Sequence, residues 1–157
     1  MAQLALRPVE ARDLDAIFEQ MRDPESVRMA AFTADDPSDR NAFDAHMAKV
    51  MASPDNRLWA ITRDAQLVGT MGSWVSEGTT ELFYWVDRAS WGQGIATRAL
   101  TLLLEGIPVR PIRARAASDN ARSLRVLQKA GFRPIGTEVA FAPGRGAEIE
   151  ETILELS

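Results

Sequence analysis

The run from Phe83 to Leu100, "FYWVDRASWGQGIATRAL", constrains the fold more than any other stretch. An aromatic, strand-like segment breaks there at Gly92 and Gly94 and turns at once into an apolar, helix-forming segment. Glycine costs conformational entropy in any ordered element. Two of them at a strand-to-helix turn therefore imply that the backbone itself comes close to something. Such a turn leaves several N–H groups without helical acceptors, and the helix dipole adds partial positive charge at the same place. Phosphate or diphosphate is the natural guest of that cradle. A tight turn chosen for its geometry alone is the plainer alternative.

The flanking sequence sets the architecture around this turn. "QLALRPVE" reads as a first strand, ending near Pro8, and Leu14, Ile17, Phe18 and Met21 fall at helical spacing. A polar, proline-broken connection with room for one short helix follows. Asp36 before Pro37 marks the entry of a second long helix, whose stripe is Phe43, Met47, Val50 and Met51. "RLWAITRD", "QLVGTMGSWV" and "TTELFYWVD" are short β-branched and aromatic runs separated by turn residues, an antiparallel meander. After the glycine turn a helix is expected over 95–105, with Ile95, Ala99, Leu102 and Leu103 inward and Gly106 as its stop. "PIRARAA" makes a fifth strand. "SDNARSLRVLQKAGF" makes a helix capped at Ser118, Asp119 or Asn120 and ended by Gly131, and two more strands flank Pro143–Gly146. The order β, α, α, β, β, β, α, β, α, β, β predicts one mixed α/β (α+β) domain over 1–157, a single sheet with helices on both faces.

Composition closes off several function classes. At 157 residues, 46% hydrophobic and 25% charged, the chain is ordinary for a globular domain. A net charge of −4 and the lack of a basic run argue against nucleic acid. With no cysteine there is no disulfide framework, thiol nucleophile or thiolate metal site, and His46 alone builds no zinc site, so no metal is expected. The N-terminal apolar run is too short for a signal peptide, and no stretch nears the roughly 20 residues that span a bilayer. No membrane partner is expected, and a cytoplasmic location is.

Other phosphate motifs fit the turn poorly. No Gly-Lys pair follows for a P-loop, and Thr97 stands where a dinucleotide fingerprint needs its third glycine. At this point "VDRASWGQGIA" resembles the acetyl-CoA loop of the GNAT superfamily of N-acetyltransferases, through Val86, Gly92, Gly94, Ile95 and Ala96. Trp91 departs from the usual Arg or Gln, although the branch resembling ribosomal-protein N-terminal acetyltransferases commonly carries an aromatic residue there. "NARSLRVLQKAGF" is similar to that branch's second signature, with Asn120, Ser123, Leu127, Lys129, Gly131 and Phe132 in register.

The resemblance implies a GNAT fold, mostly antiparallel, with the sheet splayed between its fourth and fifth strands. It implies acetyl-CoA as co-substrate and a primary amine as acceptor, by direct transfer. The pantetheine arm would pair with the backbone of Tyr84, Trp85 and Val86, and the diphosphate would sit on the amides of Trp91, Gly92, Gln93, Gly94, Ile95 and Ala96. Asn120 would reach the pantetheine unless it serves only as a cap. Arg88 and Arg98 flank the loop as phosphate partners or as plain solvated arginines.

Direct transfer needs a neutral amine and a stabilised leaving thiolate. Glu81, on the face of Phe83 and Trp85 by alternation, is the candidate base. Ser123 is the candidate group at the thiolate, with Tyr84 as an outside candidate that also reads as packing. His46 reads as partly buried and structural. The acceptor stays open between a protein or peptide N-terminus and a small amine. A homodimer through the C-terminal strands is also open. Two other classes remain: a CoA-binding sensor of the same fold without turnover, and a small nucleotide-binding α/β domain.

Overall fold

Alternating apolar and polar residues between turn signals give the centre of the sheet. β2 (Arg57–Arg63), β3 (Gln66–Ser76) and β4 (Thr79–Val86) pair as the antiparallel meander that was expected. The computed structural model describes residues 3–157. It adds β1 (Leu4–Pro8) against β2, and beyond β4 come β5 (Ile112–Ala117), β6 (Arg133–Ala142) and β7 (Ala147–Leu156). The seven strands lie in the order β1-β2-β3-β4-β5-β7-β6, and only β4 with β5 runs parallel. The last hairpin thus inserts β7 beside β5 and leaves β6 at the edge.

Helices cover both faces. α4 (Ile95–Glu105) and α5 (Ala121–Lys129) close over the larger core, where Ile61, Met71, Leu82, Leu100, Leu127 and Phe132 are buried. Each such side chain contributes roughly 1.5–3 kcal/mol when fully buried. α1 (Leu14–Met21) and α3 (Arg40–Ala52) cover the other face, around Val9, Ile17 and Ala60. Ile61 and its neighbour Ala60 join opposite cores because successive strand residues point to opposite faces. α5 stops as its sequence implies: Gly131 takes φ 100°, and Phe132 donates its N–H to Leu127 O at 3.1 Å.

The connection after α1 holds the short helix it had room for, α2 (Pro24–Ala30), capped by Asp23, which accepts the Ser26 N–H. Several other local expectations are corrected. Asp36 does not open α3. It accepts the Ser38 N–H in a turn, and Asp39 is the cap because its carboxylate reaches the Ala42 N–H. On α4, Leu100 is buried and Leu102 is 37% exposed. At about 100° per residue, Ile95, Ala99, Leu103 and Leu100 fill one continuous arc of the helix, and Leu102 falls just outside it beyond Ile95. Met51 is likewise exposed on α3.

One ion pair ties the first strand to the first helix. Arg7 donates to both carboxylate oxygens of Asp13 at 2.7 and 2.8 Å, and the Glu10 N–H adds a third bond at 2.8 Å. The Arg7 guanidinium holds the Asp13 carboxyl below the usual carboxylate range, although burial opposes it. A depressed carboxylate stabilises the fold above its unfolded pKa, and the gain is lost as pH falls through the folded one. Asp13→Ala is therefore expected to lose about 2 kcal/mol at neutral pH. In urea unfolding the gap from the parent protein should shrink as the pH is lowered below about 4.

Candidate active site

The site begins where two strands part. β4 and β5 pair only at Thr80 with Ile112 and Glu81 with Arg113. Past that point each follows its own antiparallel partner, β4 along β3 and β5 along β7 as far as Ala117. The side of β4 that faces β5 is left without a strand from residue 82 to 86. A cleft of about 1110 Å³ opens there, walled by β4, the end of β5, the glycine turn and α5, and continuing under α1, α2 and α3 on the other side of the sheet.

At one end of the cleft lies the turn. Gly92 and Gly94 take φ 77° and 74°, the left-handed region that side chains resist. A Cβ at either would meet no atom within 4 Å, so conformation and not crowding demands glycine there. No side chain caps α4, and its first helical bond runs from the Arg98 N–H to Gly94 O. Among the described residues, the amides of 92–97 find no protein acceptor. The expected cradle narrows at its start. The Trp91 N–H is spent on Arg88 O at 3.1 Å, and its indole N–H donates to Val86 O at 2.8 Å, which occupies that strand carbonyl. The Gln93 side chain turns away to Arg63, and Ile95 is buried as an anchor beneath the open amides.

Cations come from α5. Arg122, Arg125 and Lys129 all line the cleft, and Arg122 lies 4.7 Å from the centre of the Trp91 ring. Sequence reading named Lys129 only as part of the second signature and missed Arg122 and Arg125, although spacings of three and four residues on one helix are the signal that finds such a row. Arg88 instead pairs with Asp23 at 3.2 Å, and Arg98 is exposed outside the cleft lining.

The unbroken β3–β4 register puts alternate β4 side chains on opposite faces. Tyr84 points to the α5 side, where its hydroxyl lies 2.6 Å from Ser123 Oγ. Burial pushes the phenol up to about 12, with the bond to Ser123 opposing. Tyr84 is therefore more than packing. Glu81, Phe83 and Trp85 point to the α1–α3 side, as alternation predicts. Trp74 and Phe83 stack at a tilt there, 6.1 Å between ring centres, and Trp85 donates its indole N–H to Gln20 O. His46 is exposed on α3 and lines the outer wall, a correction to its expected burial.

Asn120 caps α5 through the Ser123 N–H at 3.2 Å and donates its own amide to Met29 O, also at 3.2 Å. Both ends of its side chain are thus engaged within the protein. Glu81 meets Arg115 Nε at 3.4 Å. The same guanidinium touches Glu138 at 2.9 Å and Glu151 at 3.4 Å. Burial lifts the proton affinity of Glu151, Arg115 opposes, and Glu138 and Glu81 add to the rise.

Residues 3–133 match the family model described as an acetyltransferase (GNAT) domain. The chain belongs to the GNAT acetyltransferase family. It is 23% identical to the uncharacterized N-acetyltransferase p20 of Bacillus licheniformis, over 98% of this chain and 92% of that one. Among solved structures it is similar to Mycobacterium smegmatis RimJ in complex with CoA-disulfide, at TM-score 0.84 and 24% identity, covering 98% of this chain and 81% of that one. The ribosomal L7/L12 α-N-protein acetyltransferase RimL with coenzyme A aligns at TM-score 0.83 and 16% identity, over 98% and 93%. The spermidine N-acetyltransferase of Vibrio cholerae with CoA and spermine aligns at 0.81 and 18%, over 98% and 95%. The mixed, mostly antiparallel sheet parted after the start of β4 is the GNAT fold.

For this GNAT domain the raised Glu151 has a stability consequence. A carboxyl that holds its proton more tightly when folded costs stability as pH rises past its unfolded value. Glu151→Gln should match or exceed the parent melting temperature at pH 8. That advantage should fade towards pH 4 in parallel thermal melts.

Proposed function

We propose that this protein is an acetyl-CoA-dependent N-acetyltransferase acting by direct transfer on a primary amine. The observation that carries the reading is the parted β4–β5 pair ending at a row of free amides. An open strand edge offers N–H and C=O groups to an extended, amide-bearing chain such as pantetheine. The backbone of Tyr84 and Trp85 would hold that arm, with Val86 contributing less because Trp91 occupies its carbonyl. The amides of Gly92, Gln93, Gly94, Ile95 and Ala96 would receive the diphosphate, and Arg122, Arg125 and Lys129 would add charge to the same cradle. Asn120 would act by fixing the start of α5 and so the position of Ser123.

The two faces of β4 divide the chemistry. Glu81, on the acceptor side, accepts a proton from the incoming ammonium group. Ser123, on the α5 side, donates a hydrogen bond to the departing sulfur. Tyr84 stays protonated at neutral pH; either hydroxyl can donate across its 2.6 Å contact with Ser123 Oγ, and with the tyrosine as donor the serine hydrogen would be free for the sulfur. Acceptors in this class include peptide or protein N-termini and small amines, the classes on which RimL and the spermidine enzyme act by name. A homodimer would form through β6, an edge strand with Val139 and Phe141 exposed on one face.

Thiol release from acetyl-CoA across a panel of amines and short peptides tests the activity. CoA should raise the melting temperature while NAD and ATP do not. Ser123→Ala and Tyr84→Phe should each lower kcat about 10- to 100-fold with CoA stabilisation retained. The double variant should be little worse than either single one, because the two hydroxyls act as a unit. Stabilisation by CoA with no thiol release for any amine would identify a sensor instead.

A further inference from the structure

Acetylation of a protonated amine sheds two protons at nitrogen. An alkylammonium group must lose one to expose its lone pair. The lone pair forms the C–N bond, and the C–S bond breaks with its electron pair leaving on sulfur as thiolate. The nitrogen, positive again after attack, loses its second proton to give the neutral amide. The thiolate takes up one proton, so each turnover releases one to solvent. A single carboxylate must empty itself to solvent between the two transfers, in a cleft shared with both substrates.

The cleft wall carries two carboxylates. β5 lies between β4 and β7, so Arg115 on β5 is flanked by Glu81 on one side and Glu151 on the other. Both line the cleft, with side chains only 14% and 13% exposed. The guanidinium spends its short bond, 2.9 Å, on Glu138, whose side chain is 56% exposed outside the cleft lining. Glu81 and Glu151 are each held at 3.4 Å, which leaves lone pairs on both for other donors.

We propose that Glu151 is a second proton acceptor on the amine side of the cleft, sharing with Glu81 the two protons shed per turnover, and that Arg115 is the positioning residue that holds both. This role presupposes the acetyl transfer argued above. Three carboxylates around one guanidinium leave an excess of negative charge, and protonating Glu151 reduces it. Burial, the first cause of its raised proton affinity, acts in the same direction. The other charges near this wall are closed on themselves: Arg113 with Glu155, Arg28 with Glu25 on α2, and Arg145 with Asp119. Asp36, Asp39, His46 and Arg57 also line the cleft, from α3, the segment leading into it and β2.

The test is the pH dependence of kcat/KM for thiol release by the full chain, with an alkylamine that the parent protein turns over. Glu151→Gln should lower kcat about 10-fold or more and remove a break from the acid limb, while CoA still raises the melting temperature as in the parent. Arg115→Gln should move that break to higher pH, because the cation that lowers the Glu151 pKa is gone. Glu138→Gln, outside the cleft lining, should move it to lower pH. A Glu151→Gln profile that superimposes on the parent's overturns the role and leaves the acetyltransferase reading intact. A parent protein that releases thiol with no amine overturns both. Should Glu151→Gln fail to fold, an acid limb unmoved by Glu138→Gln overturns the role by itself.

Discussion

Everything at the site depends on β4 and β5 ceasing to pair after two residues. Neither strand is disordered there. Each keeps a full antiparallel ladder on its other side, β4 with β3 and β5 with β7. Unpaired backbone groups inside a fold are costly, so a gap of this kind persists only when each edge is fixed from behind. The meander and the inserted C-terminal hairpin supply those two supports. The result is a notch in a sheet that is otherwise continuous from β1 to β6.

The notch also sorts side chains by task. Because β4 alternates without a bulge, its residues divide strictly between the two helical layers. Tyr84 reaches α5 and the serine there, while Glu81 joins the arginine-centred cluster on the opposite face. In the mechanism proposed above, hydrogen-bond donation to sulfur and proton removal from nitrogen would therefore occupy different sides of one strand. Separation matters because a buried carboxylate and a donating hydroxyl placed together would satisfy each other and neither would face a substrate.

Much of this was legible in the residues. Periodicity marked the meander, the helices over 95–105 and 121–129, and the glycine turn, because each rests on spacing within a dozen positions. The parity of Glu81 with Phe83 and Trp85 followed from the same local rule. The misses have physical causes. Asp36 and Asp39 are both reasonable caps, and only the path of the chain after Pro37 selects the one whose carboxylate reaches an amide. Glu151 becomes a neighbour of Arg115 only because β7 slots in beside β5, a long-range register that no local pattern encodes. Tyr84 looked like packing until the approach of α5 supplied a partner for its hydroxyl.

One planar side chain in the cleft lining ties two helices together. Asn120 grips the first turn of α5 with its oxygen and the last turn of α2 with its nitrogen. An amide is rigid, so the span between those two grips is fixed by covalent geometry and not by the softer packing of helices. Asn120 thereby acts as a calliper, setting one gauge for the two helices it joins. Any molecule that pushes α2 outward must strain or break that grip, whose other end is the backbone N–H of Ser123.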